Sequence, residues 1–255
     1  MRLAFRQYGE SGQPLVILHG LFGSRENWHS ICLSLQAAYR VFALDQRNHG
    51  ESPHAAEMDY GSMAEDVAEF LVQQELPRAH VLGHSMGAKT AMQLALLHPQ
   101  QVQSLISVDM ASTAYPPRHE RILEGLLALD LDSSTNRQQL EQTLERWVPD
   151  LATRRFLLKN ARRTDSGFRW RIGLKEIAQN SARLNEAVAG EPYAGPVLFI
   201  RGETSDYLGQ QDLPGILKLF PRAQMRTIPR AGHLVHVDNP EVFANEIIRF
   251  LSRPD

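Results

Sequence analysis

Cysteine is almost absent: Cys32 is the only one in 255 residues. An intramolecular disulfide needs two thiols and a thiolate metal cluster needs more, so both are excluded. A reducing, cytoplasmic compartment fits this usage. No hydrophobic run is long enough to span a bilayer. The opening Met1-Arg2-Leu3-Ala4-Phe5-Arg6 lacks the apolar stretch of a secretory signal and reads as a strand. Charge of one sign is not in excess either. Against 29 Asp and Glu stand 27 Lys and Arg, a net charge of −2, which offers no global attraction to nucleic acid or a membrane surface. A zinc-hydrolase helix, carrying two histidines and a carboxylate, is also missing; His233-x-x-His236 alone is too thin. The expectation is a protein with no cofactor and no metal, acting on a small molecule. Its oligomeric state is not encoded in any readable pattern.

What is present is the composition of one large globular domain, 43% hydrophobic and 22% charged. Short apolar runs alternate with helical patterns. Leu15-Val16-Ile17-Leu18, Arg40-Val41-Phe42-Ala43-Leu44, Ala79-His80-Val81-Leu82 and Leu105-Ile106-Ser107-Val108 read as buried strands. Val197-Leu198-Phe199-Ile200 and Met225-Arg226-Thr227-Ile228 add two more. Between them, residues 25–35, 60–76 and 86–98 read as helices. Ser62 and Glu65 are spaced as a capping box for the second of these. A last helix opens at Asn239-Pro240. Such alternation predicts an α/β fold: a mostly parallel sheet with helices on both faces. The stretch 115–193 interrupts it and reads as helical throughout, over 120–129, 135–147, 151–162 and 174–189. The expected division is a core of 1–114 with 194–255, and an all-helical lid (cap) of 115–193. Pro116-Pro117 and Gly190-Glu191-Pro192 would be its hinges.

Gly83-His84-Ser85-Met86-Gly87 falls between a strand and a helix, the setting a nucleophile elbow requires. The turn is sharp enough that side chains at Gly83 or Gly87 would strike neighbouring backbone. It exposes the Ser85 hydroxyl at a helix N-terminus, where free N–H groups stabilise an oxyanion. A serine hydroxyl needs a base, and the base needs an orienting acid. His233, in Ala231-Gly232-His233, follows the last strand and is the candidate base, with His236 its rival. His54, His80, His98 and His119 read as solvated, and His84 as a packing neighbour inside the elbow. Asp109 and Asp206 both end strands in the chain order an acid would need, and spacing leaves the two open. Backbone N–H groups of Met86 and Leu21, the latter in His19-Gly20-Leu21-Phe22-Gly23-Ser24, are the expected oxyanion donors. The polar loop Asp45-Gln46-Arg47-Asn48-His49-Gly50-Glu51-Ser52 reads as structural, with Arg47 on a carboxylate and Gly50 in a turn.

Together these segments resemble the α/β-hydrolase superfamily over nearly the whole chain, and the YbfF-type esterases within it. The resemblance rests on His19 to Ser24, Asp45 to Ser52, Gly83-His84-Ser85-Met86-Gly87-Ala88-Lys89 and Ala231-Gly232-His233. It implies that the acid is the residue at Asp109, supported by a serine at Ser205, with Asp206 the alternative. Ala88 departs from the group, where a third glycine is usual. The implied reaction is hydrolysis of esters or thioesters of small to medium acyl groups through an acyl-Ser85 intermediate. Lactone or C–C bond hydrolysis, perhydrolysis, or a non-catalytic receptor of the same fold are the alternatives. Haloalkane dehalogenation is disfavoured, since it needs a carboxylate at Ser85. The basic residues Arg154, Arg155, Lys159, Arg162, Arg163, Arg169 and Arg171 form either a solvated face or an attraction for acyl-CoA phosphates.

Overall fold

The computed structural model describes residues 1–252. Nine strands form in the order β1 (Phe5–Tyr8), β2 (Gln13–Leu18), β3 (Tyr39–Leu44), β4 (Ala79–His84), β5 (Val102–Val108), β6 (Ala161–Arg163), β7 (Phe168–Trp170), β8 (Val197–Gly202) and β9 (Ala223–Ile228). The α-helices are α1 (His29–Leu35), α2 (Tyr60–Gln73), α3 (Met86–Leu97), α4 (Glu120–Leu127), α5 (Arg137–Leu144), α6 (Leu151–Leu158), α7 (Leu174–Gln179), α8 (Leu213–Leu219), α9 (Val235–Asp238) and α10 (Pro240–Leu251).

Seven strands make one sheet in the order β1-β3-β2-β4-β5-β8-β9. Only β1 is antiparallel, pairing Phe5 with Leu44 at the sheet edge. Successive residues of a strand point to opposite faces, and the two cores follow that alternation. Val16, Leu18, Val81 and Phe199 pack on one face against Val67, Phe70 and Leu71 of α2 and Ala91 and Met92 of α3. Leu15, Ile17, Leu82 and Ile200 pack on the other against Ile31 and Leu35 of α1 and Phe243 and Ile247 of α10. Parallel strands all deliver their carboxyl ends to one edge, so residues 19–24, 85, 109, 205–207 and 233 gather there.

The cap of α2 differs from the capping box at Ser62 and Glu65. Asp59 is the N-cap, and its carboxylate accepts the Ser62 N–H at 2.8 Å. A carboxylate one turn earlier satisfies the free N–H first, and Glu65 instead pairs with His98 at 2.8 Å.

Residues 115–193 are not all helical. Residues 161–170 form an antiparallel hairpin, β6 with β7, pairing Ala161 with Trp170. Its turn is Thr164-Asp165-Ser166-Gly167, closed by Thr164 N–H to the Gly167 carbonyl at 3.0 Å. These are turn residues followed by the aromatic β-formers Phe168 and Trp170, and local turn chemistry ends the helical pattern at Leu158. The 174–189 stretch reduces to α7 and one short turn at Arg183–Asn185. Leu123, Leu126, Leu144, Leu157 and Phe168 of this segment bury themselves against Phe22, Met58, Met63 and Met86. It therefore lies over the residues that follow β2 and β4. Its basic residues do not share one free face. Arg154 is buried and donates to the Val148 and Pro149 carbonyls at 2.9 and 2.7 Å. Arg155 meets Glu141 at 3.1 Å, and Arg171 meets Glu26 at 3.2 Å. Among the described residues no helix is long and apolar enough to cross a membrane.

Candidate active site

Ser85 sits between β4 and α3 with φ 53° and ψ −118°, a conformation that costs a non-glycine residue on the order of 1–3 kcal/mol. The two glycines around it are required by contact. A Cβ at Gly83 would overlap the Gly87 carbonyl, and one at Gly87 would lie 2.5 Å from the Leu18 and His19 carbonyl oxygens. Phe22 and Asp109 also have positive φ, 61° and 51°, at the same sheet edge. Ser85 is 7% exposed and lines two cavities, of about 90 and 340 Å³.

His233 lines the larger cavity with Ser85. Its Nδ1 lies 2.7 Å from Asp109 Oδ2. Asp109 is fully buried, and its other oxygen accepts the Gly202 N–H at 3.0 Å. The Ser205 hydroxyl donates to Oδ2. Asp206 is elsewhere: it is 79% exposed and pairs with Arg118 at 3.2 Å. Thus the two aspartates that spacing left open have different partners. Tyr207 stacks on the His233 ring at 3.8 Å and 20°, and the Arg118 guanidinium lies 4.4 Å from the Tyr207 ring centroid. Nothing in the local sequence marks Tyr207 for that position, because the stack joins the turn after β8 to the loop after β9.

The other histidines separate by burial. His84 donates Nε2–H to the His233 carbonyl at 2.9 Å, and burial, with His233 and His236 nearby, holds it well below the usual imidazole range. His236 is stacked on Trp28 at 4.3 Å, and its buried Nδ1 has no hydrogen-bond partner among the described residues. His80 and His119 are not solvated as the sequence suggested. His80 is 4% exposed and lies 2.7 Å from the Ser104 hydroxyl. His119 lines both cavities, and burial lowers it to about 4.

The 19–24 loop is held from the core side by His19 and His49 and from the 115–193 segment by Asn160. Gln46 N–H donates to His19 Nε2 at 3.0 Å, Phe22 N–H to His49 Nε2 at 3.1 Å, and Asn160 Nδ2 to the Phe22 carbonyl at 2.8 Å. His49 thus fixes the loop that carries Leu21, a role its own sequence neighbourhood does not signal. Arg47 does pair with a carboxylate, Asp66, at 2.6 Å. Gly50 turns at φ 59°.

These buried imidazoles carry a pH prediction. Burial lowers His19 and His236 to about 4 and His49 to about 3. In the unfolded chain each titrates near 6.5. Between those values the unfolded state binds more protons, so stability rises with pH across the window. The contribution is complete above about pH 6.5 and is lost as the pH falls through about 4, at about 2 kcal/mol per histidine by pH 5. The urea midpoint is expected to drop steeply from pH 7 to pH 5 and to recover on return. A flat midpoint across that range would contradict the burial of these rings.

Comparison with known proteins agrees with the fold. Residues 13–240 match the sequence profile of the alpha/beta hydrolase fold family. The chain belongs to that family. It is 38% identical to "sn-1-specific diacylglycerol lipase ABHD11" of Danio rerio over 93% of this chain and 78% of the relative. It is 30% identical to "Esterase YbfF" of Escherichia coli (strain K12) over 99% and 98% of the two chains. The solved structure of a "Marine microorganism esterase" superposes with a TM-score of 0.95 at 41% identity, covering 97% of this chain and 98% of that one.

Proposed function

We infer that this carboxylesterase-type serine hydrolase cleaves carboxylic esters, and thioesters of small to medium acyl groups, through an acyl-Ser85 intermediate. The observation that carries the reading is the 2.7 Å Asp109–His233 bond at the cavity lined by Ser85. A carboxylate only accepts, so His233 Nδ1 bears the proton and Nε2 presents its lone pair. Nε2 takes the Ser85 hydroxyl proton as Oγ attacks the carbonyl carbon. The developing oxyanion is held by the N–H groups of Leu21 and Met86. Met86 opens α3, so its N–H has no acceptor within the helix.

Collapse of the tetrahedral adduct breaks the bond to the alcohol or thiol, which takes its proton from His233. Water then gives a proton to Nε2 as it attacks the acyl carbon, and the second adduct collapses with Nε2 returning that proton to Ser85 Oγ as the acid is released. Asp109 keeps the tautomer and stabilises the imidazolium, while Gly202 N–H and Ser205 hold Asp109. The segment 115–193 acts as the cap over this site, and its Ile122, Phe156 and Leu157 wall the larger cavity. The single buried Cys32 thiol, raised by burial to about 12, is compatible with a cytoplasmic setting.

The test is a fluorophosphonate probe beside a panel of p-nitrophenyl esters, acyl thioesters and acyl-CoA. Stoichiometric labelling at Ser85, slowed by the hydrolysed esters, is the expected result. Folded protein that neither labels nor turns over an ester would be a receptor instead.

A further inference from the structure

We propose that the smaller cavity is an acyl subsite selecting acyl groups that end in a carboxylate, with the Lys89 ammonium as its reader. The inference rests on Ser85 as nucleophile and His233 as base, and it names the substrate class of that same site.

Chemistry assigns the two cavities. They share Leu21, Ser85, His119 and Tyr207, so a carbonyl at Ser85 can extend into both. The leaving alcohol must receive its proton from His233, and His233 lines only the 340 Å³ cavity. The acyl chain therefore occupies the 90 Å³ one, whose wall includes Met86, Lys89, Tyr115 and Leu184.

Lys89 lies in the first turn of α3, just beyond Ser85, and both line the 90 Å³ cavity. It is 1% exposed, a burial that an ammonium rarely accepts without a counter-ion. Its Nζ donates to the Glu186 carbonyl and lies 4.9 Å from the Tyr115 ring and 5.4 Å from the Tyr60 ring. An ammonium has three donors, and among the described residues no carboxylate forms an ion pair with it. Both tyrosine hydroxyls are engaged elsewhere, Tyr60 on the Leu184 carbonyl at 2.6 Å and Tyr115 on the Tyr207 carbonyl at 2.5 Å. Burial lowers Lys89 to about 8, which leaves it cationic at neutral pH.

Other charges face the cavity. Arg118 and Glu120 both line it, and the Glu186 carboxylate acts on Lys89 at longer range. Arg118 already has Asp206. Ser181 and Asn185 add neutral polar groups to the same wall. An alkyl chain in this cavity offers the ammonium nothing. A terminal carboxylate gives it a charge-assisted hydrogen bond in a desolvated setting. Ser85 and Lys89 line the same cavity of about 90 Å³, a space that suits a short diacid such as succinate or glutarate.

The experiment compares monobenzyl succinate with its uncharged isostere, benzyl 4-methylpentanoate, in wild type and Lys89→Met. The ratio of kcat/KM, anionic over neutral, is expected to exceed about 10 in wild type and to fall about 10- to 100-fold in the variant. A third substrate, 4-carboxybenzyl butyrate, carries the carboxylate on the alcohol and should show no Lys89 dependence. Because Lys89→Met removes a buried contact, protection is measured on wild type as well: succinate or glutarate should slow fluorophosphonate labelling of Ser85 more than butyrate does. A wild-type preference for the neutral ester, or Lys89 dependence only for the anionic alcohol, would overturn the proposal while leaving the serine mechanism standing. Loss of all ester turnover with Ser85 unlabelled would instead strike the mechanism itself.

Discussion

Ser85→Ala is expected to lower kcat for any ester substrate by about 10⁶, the scale seen when a serine nucleophile is removed from a triad that acts as a unit. The loss follows from geometry. The strand-turn-helix context holds the hydroxyl on a backbone of φ 53°, at the junction of both cavities, and of the residues that line both only Ser85 carries an aliphatic hydroxyl. His84 is neutral and committed to the His233 carbonyl. Alanine keeps the same backbone demands, so the variant should fold and retain its circular dichroism. The residual rate belongs to the oxyanion donors and to substrate binding. The measurement is steady-state hydrolysis of a p-nitrophenyl ester, with mass spectrometry of the phosphonylated protein as a second readout. Turnover within a factor of about ten of wild type would rule out the acyl-Ser85 route.

Asp109→Asn should cost about 10⁴ in kcat. An asparagine amide turned toward Nδ1 donates where the carboxylate accepted, which places the imidazole proton on Nε2 and removes the base. Asp109 is buried, receives the Gly202 N–H and the Ser205 hydroxyl, and touches His233 at 2.7 Å. Asp206 makes its ion pair with Arg118 at the surface, a kind of contact worth at most about 1 kcal/mol. Asp206→Asn should therefore change kcat by less than about fivefold. Equal losses in the two variants, or a larger one at Asp206, would transfer the acid's role. The pH profile separates a positional effect from a chemical one. If Asp109 sets the tautomer, Asp109→Asn should regain rate at alkaline pH, where a base other than the imidazole serves.

Local patterns in the chain carried the sheet and the elbow. The apolar runs at Leu15, Val41, Val81, Leu105, Leu198 and Met225 all lie in strands of the central sheet. Parallel strands buried on both faces leave continuous hydrophobic runs that need no partner to be read. The inserted segment was less legible. Residues 161–170 carry Arg162, Arg163, Arg169 and Trp170 at positions compatible with either period, and the Thr164 to Gly167 turn decided for a hairpin.

The linear chain by itself determined the α/β architecture and the serine on its strained turn, because both follow from nearest-neighbour chemistry: apolar periodicity, and glycines where a Cβ would strike backbone. Only the tertiary structure decided which aspartate meets His233, that Tyr207 stacks on it, that His49 braces the Leu21 loop, and that Lys89 is sealed beside the smaller cavity. Those facts join residues separated by 26 to 124 positions. Each depends on the register and crossing of elements that meet only once the sheet has closed and its carboxyl edge has been covered.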